Sequence, residues 1–438
     1  MLENRSFDNV AGWLYDPANP PPFDRAPRGQ PFDGLSGWRL GNPVPPAAPG
    51  ARPGWAPVGR TEDGRSPGHD PGEGYANVNT QLFGAVSPPG GDCGPARPPY
   101  NLPRPLPPVP PMNGFVRDYA ATLRCRGLPA GPAEARRIMD CLSPRAVPVL
   151  SSLAHAYAVC DRWFCSVPSE TWANRSFALA ASSSGFVDNR PLQYWLHNDA
   201  PTVFNRMDEA GRPELSWRVY FDLAQILPLT WLVFAGLRWR LFTNFAPMGR
   251  FYSDARTGRL PSVSWIEPLM TGTSRNDEHP PYGVRPGERL LLSVYRALRR
   301  SPAWPRTLLI VTYDEHGGLY DHVPPPAAVP PLPGAPPGQF GFRFDRLGPR
   351  VCTLLISPYI APGTVFRARD PFGPDVPLDH TAIVRTICAR FGLPPLTRRD
   401  AASPDLGSAL TLRQPRGDDP VVPAPQLTRA AQTGKGLG

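Results

Sequence analysis

The chain has 438 residues, 41% of them hydrophobic, which suffices for a sizeable core in one large α/β enzyme. Its 63 prolines and 41 glycines exclude a helical bundle and indicate long irregular loops over a compact centre. The net charge of +9 comes almost wholly from arginine, since Lys435 is the only lysine. No run of like charge and no aromatic-lined basic stripe accompanies it, so we expect no nucleic-acid partner. The basic charge remains compatible with an anionic or phosphate-bearing substrate.

The first quarter of the chain is predicted to be mostly loop, because residues 16–112 are rich in proline and glycine. A short helical pattern lies within it near 76–84. Apolar residues then recur at spacings of three and four over 113–124 and 147–160, which predicts two helices. Residues 160–167 look like a strand that leads into a turn.

The second half alternates helices and strands. A helix is predicted over 172–185, ending at Gly185, and strands at 217–222 and 263–268. The clearest alternation is helix 287–300, strand 307–315, strand 350–360 and helix 380–392. This order predicts an α/β fold with a mainly parallel sheet and helices on both faces. We place one domain over residues 1–405 and a Pro/Gly-rich tail over 406–438.

The seven cysteines show no C-x-x-C pair and no zinc-site spacing. Cys352 and Cys388 sit in apolar patterns and are predicted core residues, while one or two disulfides can form among the other five. No signal peptide or membrane-spanning segment is visible, and the cellular location stays open. The most apolar stretch, 226–237, is predicted to be core or a surface that meets something apolar.

Three short clusters carry oxygen-rich side chains: Glu3-Asn4, Thr171 at a helix start, and Asp314-Glu315 directly after a buried strand. Ligands bind at the carboxyl ends of such strands in α/β sheets. Carboxylates and an amide oxygen suit a hard divalent cation, whose identity the sequence leaves open. A metal can activate a hydroxyl nucleophile, and a helix N-terminus can hold a phosphate. Together these features describe phosphoryl transfer through a covalent intermediate.

Each cluster also has a plain structural interpretation. Thr171 can simply cap a helix, and Asp314-Glu315 can be a solvated turn. Glu3-Asn4 can be a frayed terminus. His279, in the string NDEHPPYG, can be an ordinary loop histidine rather than a general acid. Spacing alone leaves the choice between these interpretations and an enzyme open.

Long strings in the chain resemble the bacterial phospholipase C and acid phosphatase phosphoesterase family, which includes plant non-specific phospholipases C. They are LENRSFD at 2–8, DPGEGYANVNTQLFG at 70–84, DRWFCSVPSETWANRSFALAASSSG at 161–185, EHPP at 278–281, TLLIVTYDEHGGLYDHVPPP at 307–326, GPRVCTLLISPYIAPGTV at 348–365 and DHTAIVRTICARFGLPPLTRRD at 379–400. The likeness extends to about residue 405.

The resemblance implies an alkaline-phosphatase-like three-layer sandwich and a metal-assisted covalent mechanism. It implies metal ligation by Glu3, Asn4, Asp314 and Glu315. It further implies that Thr171 is the nucleophile, that Asn174 contacts the phosphate, and that His279 stabilises the transition state or protonates the leaving group. His322 and His380 match family histidines of open role. His380 can equally cap or brace its helix.

A threonine at the nucleophile position resembles the phospholipase C branch. It implies cleavage of phosphatidylcholine into diacylglycerol and a phosphorylated head group, with peripheral membrane contact compatible with this substrate. An acid phosphatase acting on monoesters and an inactive family member remain alternatives. The chain departs from the family at two points. It begins inside the motif that an apolar strand ordinarily precedes, and Glu73 stands where a histidine is common. The oligomeric state stays open.

Overall fold

The computed structural model describes residues 1–45, 54–84, 93, 96–369 and 375–425. Its α-helices, numbered in chain order, are α1 Phe7–Ala11, α2 Tyr75–Phe83, α3 Phe115–Cys125, α4 Pro132–Arg136, α5 Pro148–Ala156, α6 Thr171–Ala180, α7 Pro191–His197, α8 Val203–Glu209, α9 Leu229–Val233, α10 Leu241–Asn244, α11 Met248–Arg256, α12 Arg285–Arg299, α13 Thr381–Phe391 and α14 Arg398–Ala402. Short 3-10 helices are Arg137–Met139, Leu223–Gln225, Ala235–Arg240, Trp304–Arg306, Gln339–Gly341 and Gly407–Ala409.

The strands are short. They are β1 Gly41–Val44, β2 Gly54–Pro57, β3 Gly59–Thr61, β4 Asp140–Leu142, β5 Ala158–Cys160, β6 Trp163–Phe164, β7 Trp217–Phe221, β8 Phe245–Pro247, β9 Val263–Ile266, β10 Leu309–Thr312, β11 Thr353–Ile356, β12 Thr364–Val365, β13 Ala368–Arg369, β14 Asp375–Val376 and β15 Leu378–Asp379.

The centre of the molecule is a sheet in the order β10-β11-β5-β12, in which β12 runs parallel to β5. A second sheet, β8-β7-β9, is parallel throughout. The first residues of the chain lie between the two sheets. Leu2 N donates to Thr312 O at 2.8 Å, Asp314 N donates to Leu2 O at 3.2 Å, and the Met1 ammonium lies 3.4 Å from Ile266 O. The first residues thus join β9 to β10 and bring Glu3 and Asn4 to the end of β10.

The central sheet is covered on both faces. Every residue of β5 and β11 is buried, and successive strand residues point to opposite faces, so apolar layers must lie on both sides. Pairs of helices supply these layers, among them α5 with α12 and α6 with α13. The predicted α/β class and its layered sheet are confirmed.

Most predicted elements are present with shifted ends. The predicted 147–160 helix stops at Ala156, because the chain turns at Tyr157 and enters β5. The predicted strand at 160–167 is two short strands, β5 and β6. The predicted strand at 350–360 is present as β11, and it runs antiparallel to both β10 and β5, so this part of the sheet is mixed.

Two cysteine predictions have clear outcomes. Cys93 and Cys125 form a disulfide, which is one of the pairs expected among the first five cysteines. Cys352 and Cys388 are buried, as predicted for core residues.

Part of the predicted tail packs on the domain. Leu406 and Ala409 are fully buried, and Leu412 N donates to Tyr359 O at 2.9 Å. The boundary at residue 405 stays a prediction. No helix in the described ranges combines the length and the hydropathy that crossing a bilayer requires.

Candidate active site

The site forms where β10 ends. Asp314 and Glu315 follow the strand directly and are fully buried. Asn4 N donates to Asp314 Oδ1 at 3.1 Å, and Glu315 N donates to the same oxygen at 2.8 Å. Asn4 holds a left-handed backbone with φ of 56°, which asparagine tolerates better than most residues. The strand end therefore brings Asn4 and the acid pair together from opposite ends of the sequence.

Arg175 joins Glu3 to Asp314. Its Nε lies 3.1 Å from Asp314 Oδ2, and its Nη2 lies 3.1 Å from Glu3 Oε1. The same Nη2 donates to Leu2 O at 3.3 Å. The guanidinium is almost wholly buried, so it offsets two carboxylate charges that water cannot reach.

Thr171 is the first residue of α6 and lies one turn before Arg175 on the same helix. Residues four apart share a helix face, which places Thr171 on the face that Arg175 extends to Asp314. The preceding Glu170 approaches Gly74, since a Cβ atom at Gly74 would lie 3.2 Å from Glu170 Oε1. The first turn of α6 therefore has the contacts of Arg175 on one side and the segment that carries Glu73 on the other.

Asn174 is occupied by the loop before α6. Its Nδ2 donates to Val167 O at 3.1 Å and Ser169 O at 2.9 Å, and its Oδ1 accepts from Val167 N at 2.9 Å. Asn174 is fully buried. Asn174 therefore supports the loop that positions Thr171. Its predicted contact with the phosphate stays a prediction, and in this structure the amide N–H groups of Asn174 already donate to the loop.

Two glycines allow this close packing. Gly317 has φ of 64°, and a Cβ there would lie 2.3 Å from Asn4 O. Gly318 has φ of 69°, and a Cβ there would lie 2.4 Å from Gly72 O. The glycine pair after the acids is therefore required sterically, because it lets the 314–318 turn contact both the Asn4 backbone and the 70–74 loop.

A second cluster adjoins the first. Ligand atoms of Asp70, Glu73 and His279 all lie within 4.8 Å of one another. Asn4 Nδ2 donates to Glu73 Oε2, which ties this cluster to the acid pair. His279 Nδ1 lies 2.6 Å from Pro280 O, and its Nε2 lies 3.8 Å from Glu73 Oε2. Because a carbonyl can only accept, Nδ1 carries the proton and Nε2 faces the site.

Burial dominates the electrostatics. It raises the pKa of Glu3 to about 8 despite the opposing charge of Arg175. Burial, with Glu73 and Asp314 nearby, raises the pKa of Glu315 well above its usual value. Burial and the neighbouring Asp70 do the same for Glu73. The site thus holds more carboxylates than its arginines can neutralise.

The donor set fits a hard divalent cation. Asn4 Oδ1 and Glu315 Oε1 are buried and have no hydrogen-bond partner among the described residues. With Asn4 Nδ2 held by Glu73, the oxygen of this amide is left for another ligand. Glu3 and Asp314 instead meet through Arg175. Orphaned oxygens beside surplus carboxylate charge are the groups that a cation satisfies.

His380 contacts the backbone of the site. Its Nε2 lies 2.6 Å from Asp314 O, and Trp163 Nε1 donates to its Nδ1 at 3.2 Å. Since Nδ1 accepts, Nε2 carries the proton and donates to the Asp314 carbonyl. Burial lowers the pKa of His380. In this geometry, the residue braces the end of β10.

His322 belongs to a different charge network. Its Nδ1 lies 2.7 Å from Asp8 Oδ2 and its Nε2 lies 3.6 Å from Asp33 Oδ1. Arg350 completes this network through Asp8 and Asp321, both at 2.9 Å. None of these partners is a predicted ligand or the predicted nucleophile.

Sequence reasoning missed Arg175, Arg275 and Asp70. Arg175 stands next to Asn174 in the T-x-x-N-R string, which was the available signal. Arg275 stacks 4.6 Å from the centre of the Tyr282 ring and lies 3.7 Å from Glu3 Oε2. Nothing in the local sequence marks it out.

Comparison with known proteins identifies the relatives. Residues 1–394 match the model of the Phosphoesterase family. Non-specific phospholipase C6 of Arabidopsis thaliana is 34% identical over 96% of this chain and 73% of its own length. Non-specific phospholipase C1 of the same plant is 33% identical over 96% of this chain and 72% of its own length. Phospholipase C B of Mycobacterium tuberculosis is 33% identical over 62% of this chain and 56% of its own length.

Solved structures are more distant. A protein of the alkaline phosphatase superfamily from Vibrio parahaemolyticus is 13% identical, with a TM-score of 0.32 over 59% of this chain and 64% of its own. A 2-O GAG sulfatase, BT1596, is 11% identical, with a TM-score of 0.35 over 61% of this chain and 69% of its own. Matches this weak are no evidence for a shared activity.

Proposed function

The chain belongs to the phosphoesterase family, and from that premise we propose that it is a phospholipase C that hydrolyses phospholipids of the phosphatidylcholine type. One observation carries the mechanistic part. Arg175, one turn after Thr171, binds both Glu3 and Asp314, which supports a single site for the hydroxyl at the helix start and the hard oxygen ligands. The phospholipases C among the relatives support a diester substrate.

Glu3, Asn4, Asp314 and Glu315 would hold the metal, with Glu73 fixing the amide of Asn4. A bound divalent cation would lower the pKa of a hydroxyl and offset phosphate charge. The N-terminus of α6 favours an anion beside Thr171 through its dipole, although the N–H group of Trp172 already donates to Asn189 Oδ1 at 2.8 Å. The groups proposed to hold the metal and the phosphate come from four segments, which are Glu3-Asn4, Glu73, the start of α6 and Asp314-Glu315.

In the proposed reaction, the Thr171 hydroxyl first loses its proton to water. Its Oγ then attacks phosphorus, and the bond from phosphorus to the glycerol oxygen breaks. Diacylglycerol leaves with a proton from Nε2 of a doubly protonated His279, the ring atom that faces the site. Water then attacks the phosphorus that joins Thr171 to the head group, the bond from phosphorus to Oγ breaks, and the phosphorylated head group is released. His279 regains its proton from that water.

A phosphomonoesterase is the second candidate, because the same groups would serve a monoester. Glu73 bears on this choice. It accepts from Asn4 and stands where the family commonly has a histidine, so the site lacks a positive charge that would favour the dianionic monoester over the singly charged diester.

The experiment compares wild type, Thr171→Ala and Thr171→Ser on phosphatidylcholine, a chromogenic phosphocholine ester and a simple phosphomonoester, each with divalent cation and with chelator. We expect the diesters to be preferred, the alanine variant to lose at least about a thousandfold in kcat, and the serine variant to retain measurable turnover. With the diester substrates, the intact mass of the quenched enzyme should show an adduct of the phosphorylated head group that Thr171→Ala lacks. Full turnover by Thr171→Ala would overturn the assignment, and preference for the monoester would favour the second candidate.

A further inference from the structure

An exposed apolar surface is formed by short helices between residues 191 and 244. Trp239 and Phe242 are 94% and 95% exposed, and Ile226 is 83% exposed. Leu192, Leu196 and Leu223 are also exposed. They lie on α7, on the 3-10 helices Leu223–Gln225 and Ala235–Arg240, and on α10, and α9 packs against α7 and against the 235–240 turn. So many large apolar side chains on one set of packed elements mark an interaction surface rather than scattered exposure.

The charge around this surface is selective. Residues 223–250 contain three arginines and no aspartate or glutamate. Arg240 pairs with Asp208 at 2.9 Å and Arg250 with Asp254 at 2.7 Å. The Arg238 guanidinium lies 3.9 Å from the centre of the Trp195 ring, and its Nε and Nη2 are buried. The segment that carries Trp239 and Phe242 therefore has no acidic side chain of its own that would repel lipid phosphates.

The exposed apolar surface is attached to the active site. Tyr194 of α7 packs edge-on against Trp172, the residue after Thr171, with ring centres 5.3 Å apart. At the other end, Glu267 accepts from Leu229 N at 2.8 Å and Thr230 N at 2.6 Å, which fixes the start of α9. Glu267 directly follows β9, beside which the Met1 ammonium lies. Whatever the surface docks on is therefore held next to the residues that carry the chemistry.

The backbone conformation at Ile226 is unusual for an isoleucine. Ile226 has φ of 68°, a conformation that β-branched residues rarely adopt, and its side chain points into solvent. Packing in the fold does not account for an isoleucine at this position.

We propose that the exposed apolar surface docks on the phosphatidylcholine bilayer from which the enzyme takes its substrate, with Trp239 and Phe242 in the interface. The identity of the membrane rests on the proposed function. A second copy of the chain is the less favourable occupant, because side chains that are 94% and 95% exposed stand above the surface, and a second copy would need a matching pocket for each of them, whereas a bilayer interface accepts aromatic side chains without one.

The test uses full-length protein and sedimentation with phosphatidylcholine vesicles, in a Thr171→Ala background so that no lipid is cleaved during the measurement. The double variant Trp239→Ser, Phe242→Ser should bind vesicles at least about tenfold more weakly, since two aromatic side chains no longer leave water. Trp38→Ala, which removes a tryptophan that is 66% exposed in another segment, is the matched control and should bind normally.

With Thr171 restored, the double variant should hydrolyse vesicle lipid at least about tenfold more slowly and a soluble phosphocholine ester at the wild-type rate. Unchanged vesicle binding by the double variant, or no vesicle binding by the parent protein, would overturn the proposal. So would a wild-type dimer that the double variant dissociates while vesicle binding stays the same. If vesicles bind through this surface but no lipid is cleaved, the docking proposal stands and the proposed function fails.

Discussion

Arg175→Met is the most direct test of how the site is held together. The substitution keeps the volume of a buried side chain and removes the guanidinium that contacts Glu3 and Asp314 at 3.1 Å each. Breaking a buried ion pair by removing one partner costs about 3–5 kcal/mol, because the remaining charge stays buried. Here Glu3 and Asp314 both lose the partner that they share.

The expected shift in melting temperature follows from chain size. An unfolding entropy of about 2.1 cal/mol/K per residue gives about 0.9 kcal/mol/K for 438 residues. A loss of about 4 kcal/mol therefore lowers Tm by about 4 °C in chelator. A divalent cation held by the same carboxylates should narrow this gap by about half or more, because it replaces the missing positive charge.

Calorimetry of wild type and Arg175→Met, each with chelator and with excess divalent cation, measures both effects. Arg190→Met is the matched control, since Arg190 pairs with Asp188 at 2.7 Å on the surface, with its side chain 47% exposed. Its loss should lower Tm by no more than about 1 °C. Equal melting temperatures for Arg175→Met and wild type in chelator, or a gap that the cation leaves unchanged, would refute the reasoning.

Three further predictions concern neighbouring residues. Gly317→Ala should abolish activity and lower the free energy of unfolding by about 2–4 kcal/mol, since its Cβ would lie 2.3 Å from Asn4 O. Gly334→Ala is the control, because Gly334 has φ of 78° but open space around it, and it should lower the free energy of unfolding by only about 1 kcal/mol. Chemical denaturation measures both. Burial opposes protonation of His322, but the Asp8 and Asp33 carboxylates outweigh it and raise its pKa to about 9. The protonated His322 therefore stabilises the fold by up to about 3 kcal/mol below about pH 6.5, and this stabilisation, and with it Tm, declines as pH rises through about 9. His322→Gln should flatten the decline in Tm and leave kcat near the wild-type value. A large loss of kcat would instead assign His322 to the chemistry. Glu73→Ala should weaken cation affinity about tenfold to a hundredfold by calorimetric titration, because the Asn4 amide loses its partner, while Glu73→Gln, which can still accept from that amide, should remain close to wild type.

Local patterns gave reliable information on elements whose apolar repeat lies within one segment. Helices α3, α12 and α13 and strand β10 appear where the spacing of apolar residues predicts them, while α6 ends at Ala180 and not at the predicted Gly185. The antiparallel direction of β11 could not be read in this way, because the 350–360 pattern is the same for either direction and only pairing with β10 and β5 decides it.

The site divides along the same line. The strand ending in Asp314-Glu315 and the helix starting at Thr171 are visible in the sequence, and the family strings named the residues around them. The contacts of the two histidines could be assigned only from the tertiary structure. His380 and His322 are alike as sequence motifs, yet one donates to the Asp314 carbonyl and the other pairs with Asp8 in a separate network.

By itself, the sequence determined the α/β class, the acids at a strand end, the helix-start threonine and the family. These depend on local spacing and on contiguous strings, which a chain carries before it folds. Only the tertiary structure decided which cation neutralises the carboxylates, since Arg175 meets Glu3 and Asp314 across 172 and 139 residues of sequence. The free energy of a buried charge depends on which partner reaches it in space, and no local pattern encodes that pairing.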